Sequence, residues 1–319
     1  MAVYTDVSFE DLEIFLEAYD IGEARVFKGI AEGVSNSNYF LQTDKGRYIL
    51  TLYEKRTEIS ELPFFLGLME HLAASGLPCP TPLHMKNGAS SAVLNGRTAA
   101  VLTFLDGISL RRPGAEHCIV AGRALAELHA KGGGFAMRRA NGLGLRAWGA
   151  MVAECANKAD DVQPGLKQLM EKELAHLESH WPQTLPTGVI HADFFPDNVL
   201  FLETKVSGII DFYFACYDSL AYDLAVTLNA WCFETDGAYN LTKGQALLQG
   251  YQEVRLLNPA ERAAFPLLCR GAAMRFLLTR LYDWLNRAPE ALVRLKDPRE
   301  FGRRLRFHQG VRSPEAYGI

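Results

Sequence analysis

The chain has 319 residues, 49% hydrophobic and 22% charged, with a formal charge of −4 at pH 7. It is long enough for one large or two moderate cores of ordinary globular composition, and its slight acidic excess offers no general field for nucleic acid or an acidic membrane surface. No apolar run approaches the roughly 20 residues that span a bilayer, and the six cysteines, at 79, 118, 155, 216, 232 and 269, include no CxxC pair, which argues against zinc spacing and a disulfide framework and for a reducing cytoplasm.

The opening stretch, MAVYTDVSFEDLEIFLEAYD, is acidic and amphipathic, with no basic segment ahead of an apolar one; no secretory signal is expected. A helix is predicted over 8–20, capped by Ser8, with Phe9, Leu12, Phe15, Leu16 and Tyr19 at helical spacing. FKGIAEGVSNSNYFLQT and GRYILTLYEK read as two strands joined by a turn at Asp44-Lys45-Gly46. Residues 61–75 form a helix that Gly76 stops and LPCPTPL prevents from resuming. SSAVLNGRTAAVLTFL supplies a hairpin turning at Asn95-Gly96.

From about residue 114 the texture becomes helical. HCIVAGRALAELHAK sets Ile119, Ala121, Leu125 and Leu128 on or near one face, and 165–180, 218–233, 243–257 and 259–286 also read as helices. Short strands are expected around 189 and over 199–212. His117, His129 and His176 read as ordinary helix residues, and the basic tail PREFGRRLRFH as a solvated helix or a contact with the protein's own acidic surface. The order gives an α+β chain: an N-terminal lobe, 1–105, with an antiparallel sheet, then a larger mainly helical lobe, 106–319.

Two neighbouring segments concentrate polar chemistry. VIHADFFPDNVLF, residues 189–201, places His191, Asp193, Asp197 and Asn198 between apolar runs. Ten residues on, the apolar run Ser207–Ile210 ends at Asp211, where a carboxylate at the end of a buried strand would need a metal or a strong donor. Asp193 can accept or orient a hydroxyl proton, Asn198 offers a neutral oxygen and Asp211 an anionic one. Two oxygen ligands with water and phosphate completing the shell is how Mg²⁺ is usually held beside a nucleotide. A base, a metal ligand five residues later and a metal aspartate at a strand end suit phosphoryl transfer. Taken singly, each feature has a plainer reading: an HxD pair is often a polar turn, and NSN is a common hairpin entry.

HADFFPDN followed by IIDF resembles the catalytic and metal motifs of the aminoglycoside phosphotransferase and choline kinase family, relatives of the protein kinases. EGVSNSNYFLQTDKGRYILTLYEK, LPFFLGLMEHLAASGLPCPTP, AVLTFLDG, ALAELHA and DLAVTLNAWCF extend the likeness over most of 28–235, towards the members that phosphorylate homoserine. The resemblance implies a protein-kinase-like two-lobe fold, ATP and Mg²⁺ as cofactors, and the hydroxyl of a small amino alcohol, L-homoserine on the route to threonine, as acceptor. It makes Asp193 the base, Asn198 and Asp211 the Mg²⁺ ligands, and His191 a support of the loop; Asp218, Tyr222 and Asp223 read as helix-start residues, as contacts to the acceptor's ammonium or as braces of the metal loop, and bracing is the reading taken for Asp223. Ser35, Asn36, Ser37 and Asn38 fall in the turn over the ATP phosphates, and Thr103, Phe104 and Leu105 in the connector that meets adenine. Tyr213 and Tyr222 are candidates for the acceptor pocket, and Asp218 for its ammonium group.

The sequence departs from the pattern on its third strand. Where many members carry Lys or Arg, it reads Ile49-Leu50-Thr51; Lys55, four residues on, is the candidate replacement, with Glu58, Glu61 or Glu70 as its partner. Choline, ethanolamine, an aminoglycoside or methylthioribose remain alternative acceptors. A non-catalytic nucleotide-binding module and a metal-dependent hydrolase using His191, Asp193 and Asp211 are the rival classes.

Overall fold

The computed structural model describes residues 5–30, 36–54, 58–286 and 295–319. The chain divides into two compact units, Met1–Gly107 with Ser207–Tyr213, and Ile108–Val206 with Phe214–Ile319. Residues 207–213 therefore cluster with the first unit although they follow it far along the chain.

In the first unit, Ser8 accepts the amide of Asp11 at 3.0 Å and starts α1 (Phe9–Leu16), which buries Leu12, Phe15 and Leu16. The helix is shorter than the spacing predicts, because its end tightens into a turn in which the Tyr19 amide reaches Leu16. The first expected strand, entered through a stretch rich in Gly, Ser and Asn, is β2 (Ser37–Thr43); β1 (Ala24–Gly29) precedes it and pairs with it in antiparallel fashion. β3 (Arg47–Tyr53), α2 (Leu62–Ala74), β4 (Ala92–Leu94) and β5 (Arg97–Thr103) follow. The antiparallel sheet runs β1-β2-β3-β5-β4. Asn95 and Gly96 both adopt positive φ, 48° and 74°, the geometry of a tight hairpin turn. Alternate residues of β2 face inward, so Tyr39 and Leu41 meet Leu12, Phe15, Leu50, Leu52 and Val101 in one core.

The second unit begins with β6 (Ile108–Ser109), α3 (Ala115–Lys131), α4 (Leu145–Val162) and α5 (Leu166–His180). α4 has no counterpart among the predicted elements, although its buried Trp148, Val152, Cys155 and Ala159 recur at helical spacing. β7 (Thr187–Ile190), β8 (Val199–Leu202) and β10 (Cys216–Ser219) follow, with β9 (Lys205–Ile209) running across the division between Val206 and Ser207, and α6 (Leu220–Trp231), α7 (Leu241–Gln252), α8 (Pro259–Leu285) and α9 (Pro298–Gly310) complete the unit. β7 pairs with β10 and β6 with β8, so both ends of 191–198 are anchored in ladders. α3 and α7 touch backbone to backbone: a Cβ on Gly122 would lie 2.1 Å from the Leu247 carbonyl, and one on Gly250 1.9 Å from that of Ile119. Among the described residues no helix is long and apolar enough to cross a membrane.

The basic tail is not a solvated helix. α9 buries Phe301, Leu305 and His308, because Arg303 and Arg306 face outward while Phe301, Leu305 and His308 recur on the opposite face, where Arg304 bonds the Asn229 carbonyl. Asn229 donates its amide to the carbonyls of Ala225 and Cys269, so its oxygen, 3.0 Å from His308 Nε2, must accept a proton from that nitrogen. Nδ1 then accepts from the Tyr317 hydroxyl at 2.7 Å, and both ring positions are filled by the neutral imidazole. Burial, with the charges of Arg304 and Arg270, lowers the His308 pKa to about 3. Because the folded value lies below the unfolded one, the contribution to stability is complete at neutral pH and is lost as pH falls from about 6.5 towards 3. Denaturant unfolding should show H308Q freed of about 1.5 kcal/mol of the loss that the wild type suffers between about pH 6.5 and 5. Parallel acid slopes in the two proteins would contradict this.

Candidate active site

The loop that follows β7 is held from behind by a buried carboxylate. Asp223, in the first turn of α6, accepts the amides of His191 (2.7 Å) and Ala192 (2.8 Å) and hydrogen-bonds His129 Nε2 at 3.0 Å. Burial alone would raise its pKa; the bond to His129, with the His129 and His191 charges and the His191 amide, lowers it. His129 Nδ1 lies 2.8 Å from the Tyr251 hydroxyl, which also accepts from Arg255, and Arg255 is paired with the buried Glu261 at 2.7 Å. A polar chain thus runs from the loop through α6, α3 and α7 to the start of α8. Such a network stabilises only if its members are satisfied.

This brace fixes an uncommon backbone. Ala192 has φ 61°, a region that costs a residue with a side chain energy and persists where its surroundings impose it. The Ala192 carbonyl accepts Arg275 Nη1 from α8, and the Asp193 amide donates to His191 Nδ1 at 3.2 Å. His191 is fully buried.

Asp193 is half-buried. Asn198, at the end of a short 3₁₀ turn, donates its amide to the Asp193 backbone carbonyl at 2.9 Å and to its carboxylate at 3.1 Å. Two consequences follow: one Asp193 carboxylate oxygen is oriented, and the amide oxygen is the atom through which Asn198 could hold a cation. Phe194 and Phe195 on the same loop turn inward, Phe194 with its carbonyl bonded to Trp231 and Phe195 against Phe276.

Asp218 and Tyr222 lie on the strand and helix behind this loop. Asp218 accepts from Asn141 Nδ2 at 2.8 Å, while Tyr222 is buried with its ring edge-on to Trp181 and no hydrogen-bond partner for its hydroxyl.

Asp211 belongs to the first unit. It is solvent-exposed, so the desolvation argument from the strand pattern does not hold; what distinguishes it is a φ of 63°. Tyr213, beside it, bonds the Tyr53 hydroxyl at 3.3 Å and packs edge-on against Tyr53 and Phe65. Burial, with the Asp211 charge contributing, raises the Tyr213 pKa to about 12.

The turn residues are largely occupied within the fold. The Ser37 hydroxyl donates to Glu54 at 2.7 Å, Asn36 Oδ1 accepts the Glu54 amide at 3.2 Å, and Asn38 Oδ1 accepts from Thr51 at 2.8 Å. Asn36 and Ser37 are buried. Glu54 is also paired with Arg97 at 2.9 Å. In the connector, the amides of Thr103 and Phe104 donate to the carbonyls of Thr81 and Arg47, and the Phe104 ring packs against Phe40 and Arg47. Ser35 and Lys55 lie outside the described residues.

In the second unit Asp193, Asn198 and His191 share one loop that Asp223 of α6 braces, whereas Asp211 and Tyr213 share the first unit with the turn and connector residues. His129, Arg275 and Asn141 have no part in the motif reading. For His129 a signal exists in its spacing with Ala121 and Leu125 on the buried face of α3; Arg275, one of four arginines along α8, carries none.

The model of the phosphotransferase enzyme family matches residues 26–257. The chain is 61% identical to the homoserine kinase of Xanthobacter autotrophicus and 58% identical to that of Parvibaculum lavamentivorans, in each case over 100% of this chain and 99% of the relative. Among solved structures it resembles spectinomycin phosphotransferase in complex with ADP and spectinomycin, with a TM-score of 0.74 at 13% identity over 96% of this chain and 99% of that one. A Plasmodium vivax ethanolamine kinase has a TM-score of 0.63 at 12% identity, over 97% of this chain and 95% of that one. The fold is therefore the α+β, protein-kinase-like arrangement of these enzymes.

Proposed function

The chain belongs to the phosphotransferase enzyme family, and from that premise we infer that it is an ATP-dependent kinase acting on the side-chain hydroxyl of L-homoserine, a step on the route to threonine. The observation that carries the acceptor is the full-length identity to homoserine kinases, because the catalytic geometry is common to many acceptors. ATP and a free amino acid as substrates fit a cytoplasmic enzyme.

Asp193 accepts the proton of the homoserine hydroxyl as that oxygen attacks the γ-phosphorus and the bond to the ADP oxygen breaks. Its hydrogen bond from Asn198 fixes which carboxylate oxygen faces the acceptor, and the brace through Asp223 holds the loop in that register. Asn198, through its amide oxygen, and Asp211 are the residues we assign to the divalent cation, which we take to be Mg²⁺; a donor set of amide and carboxylate oxygens suits a hard ion. When bound, that ion supplies positive charge to the triphosphate. With the Thr103 and Phe104 amides already used, the Leu105 amide is the connector donor we assign to adenine. The side-chain oxygens of Asn36, Ser37 and Asn38 serve the fold, so backbone N–H groups supply the phosphate contacts there.

Coupled ATP turnover with homoserine, choline, ethanolamine, an aminoglycoside and methylthioribose tests the assignment. Homoserine should be the preferred acceptor, in a reaction that chelation abolishes and Mg²⁺ restores. Preference for choline would overturn the acceptor while leaving the chemistry in place.

A further inference from the structure

The loop from His191 to Asn198 contains no lysine or arginine, and cations reach it from far downstream. Lys296 Nζ lies 2.9 Å from an Asp197 carboxylate oxygen and 5.3 Å from the centre of the Phe195 ring. Arg280, near the end of α8, donates from Nη1 to Glu300 of α9 at 2.7 Å and lies 4.5 Å over the Phe301 ring. Phe301 in turn packs against Phe276 and Phe195, at 5.1 and 6.4 Å between centres. Phe195 is two residues from Asp193, so the three rings tie Arg280 and Lys296 to the loop that carries the base. The carboxylates of Asp193 and Asp197 act on the Arg280 charge together with Glu300. The Arg280 side chain is 11% exposed and that of Lys296 57%; one is a fixed group at the edge of the core and the other faces solvent.

Homoserine poses an electrostatic problem at this place. In an extended chain its carboxylate lies only about 5 Å from the hydroxyl oxygen. Bringing that hydroxyl to Asp193 therefore brings a second anion towards the first, and at such range like charges repel by several kcal/mol in a protein environment. Choline and ethanolamine carry no such group. A cation within reach is needed, and a guanidinium with one nitrogen committed to a fixed partner retains a planar edge suited to a carboxylate.

We propose that Arg280, held by Glu300 and Phe301 and assisted by Lys296, binds the α-carboxylate of the acceptor and selects an amino acid over a simple amino alcohol. This rests on the homoserine reading given above. It also assigns a task to α9: its Glu300 and Phe301 fix the arginine.

The test compares L-homoserine with 3-amino-1-propanol, which keeps the hydroxyl and the ammonium group and lacks the carboxylate. In the full-length enzyme, R280M should lower the ratio of kcat/KM for homoserine to that for aminopropanol about ten- to a hundredfold, chiefly through the homoserine KM. R280K should recover part of it. Equal losses on both acceptors would mean that Arg280 only supports the base, and an unchanged ratio would mean that it does not meet the substrate; either result overturns the proposal. Should R280M fail to accumulate, E300Q, which loosens the arginine, should shift the same ratio by a smaller factor, and an unshifted ratio there counts equally against it. A wild-type enzyme inactive on homoserine would instead overturn the functional reading, and this inference with it.

Discussion

Replacing Asp193 by asparagine should lower kcat with homoserine by about a thousandfold, the contribution typical of a positioned general base. The substitution keeps the shape of the side chain, and its amide oxygen can still accept from Asn198, the bond observed at 3.1 Å. The loop should therefore retain its form, and affinity for an ATP analogue measured by calorimetry should stay within a few-fold of the wild type. The pattern separates Asp193 from Asp211, which we place with the cation: Asp211→Ala should raise the Mg²⁺ concentration needed for half-maximal rate. If the asparagine variant turned over at close to the wild-type rate, Asp193 would not be the base, and the mechanism would need another proton acceptor.

Asp223→Ala should destabilise the protein by about 3–5 kcal/mol, as loss of one partner from a buried charged network does, lowering Tm by roughly 5–10 °C. The carboxylate satisfies the His191 and Ala192 amides and His129 at once, and all three groups are buried. Without it, two amides and an imidazole lose their acceptor inside the core, where each unmade bond costs about 1–3 kcal/mol. Because Ala192 is held at φ 61°, relaxation should displace Asp193, so kcat should fall along with stability. Asp223→Asn separates the two effects: it preserves volume but presents an N–H towards at least one donor. Thermal melts and steady-state rates on both variants decide the matter, and a pair that melts and turns over like the wild type would show that Arg275 and the flanking ladders suffice to hold the loop.

The residues we propose as base and cation ligands, Asp193, Asn198 and Asp211, could be picked out of the sequence because phosphoryl transfer confines such groups to two short neighbouring stretches. The hairpin at Asn95-Gly96 and the helix beginning at Pro259, with Asn258 and Glu261 forming its capping box, were legible for a related reason: turns and caps are decided by a few adjacent residues. The roles of Ser37 and Asn36 were not. Serine and asparagine in a turn suggest exposed donors, yet both are buried and bonded to Glu54, and only strand pairing brings Glu54 to them. Asp211 looked like the end of a buried strand but is exposed, because burial depends on what packs against a strand as much as on its own residues.

Local rules therefore carry this chain as far as its elements, its β-to-α order and the oxygen-bearing motif, since periodicity, turn geometry and ligand spacing all act over a handful of residues. They reach Asp223 as a brace but not its partners, nor the flanking cations. His129 lies 94 residues from Asp223, Arg275 lies 83 from Ala192, and Lys296 lies 99 from Asp197. Each reads in isolation as an ordinary polar helix or surface residue. Their meaning comes from helix packing that closes long loops, and the entropy of that closure is offset by the whole core rather than by the pair that meets.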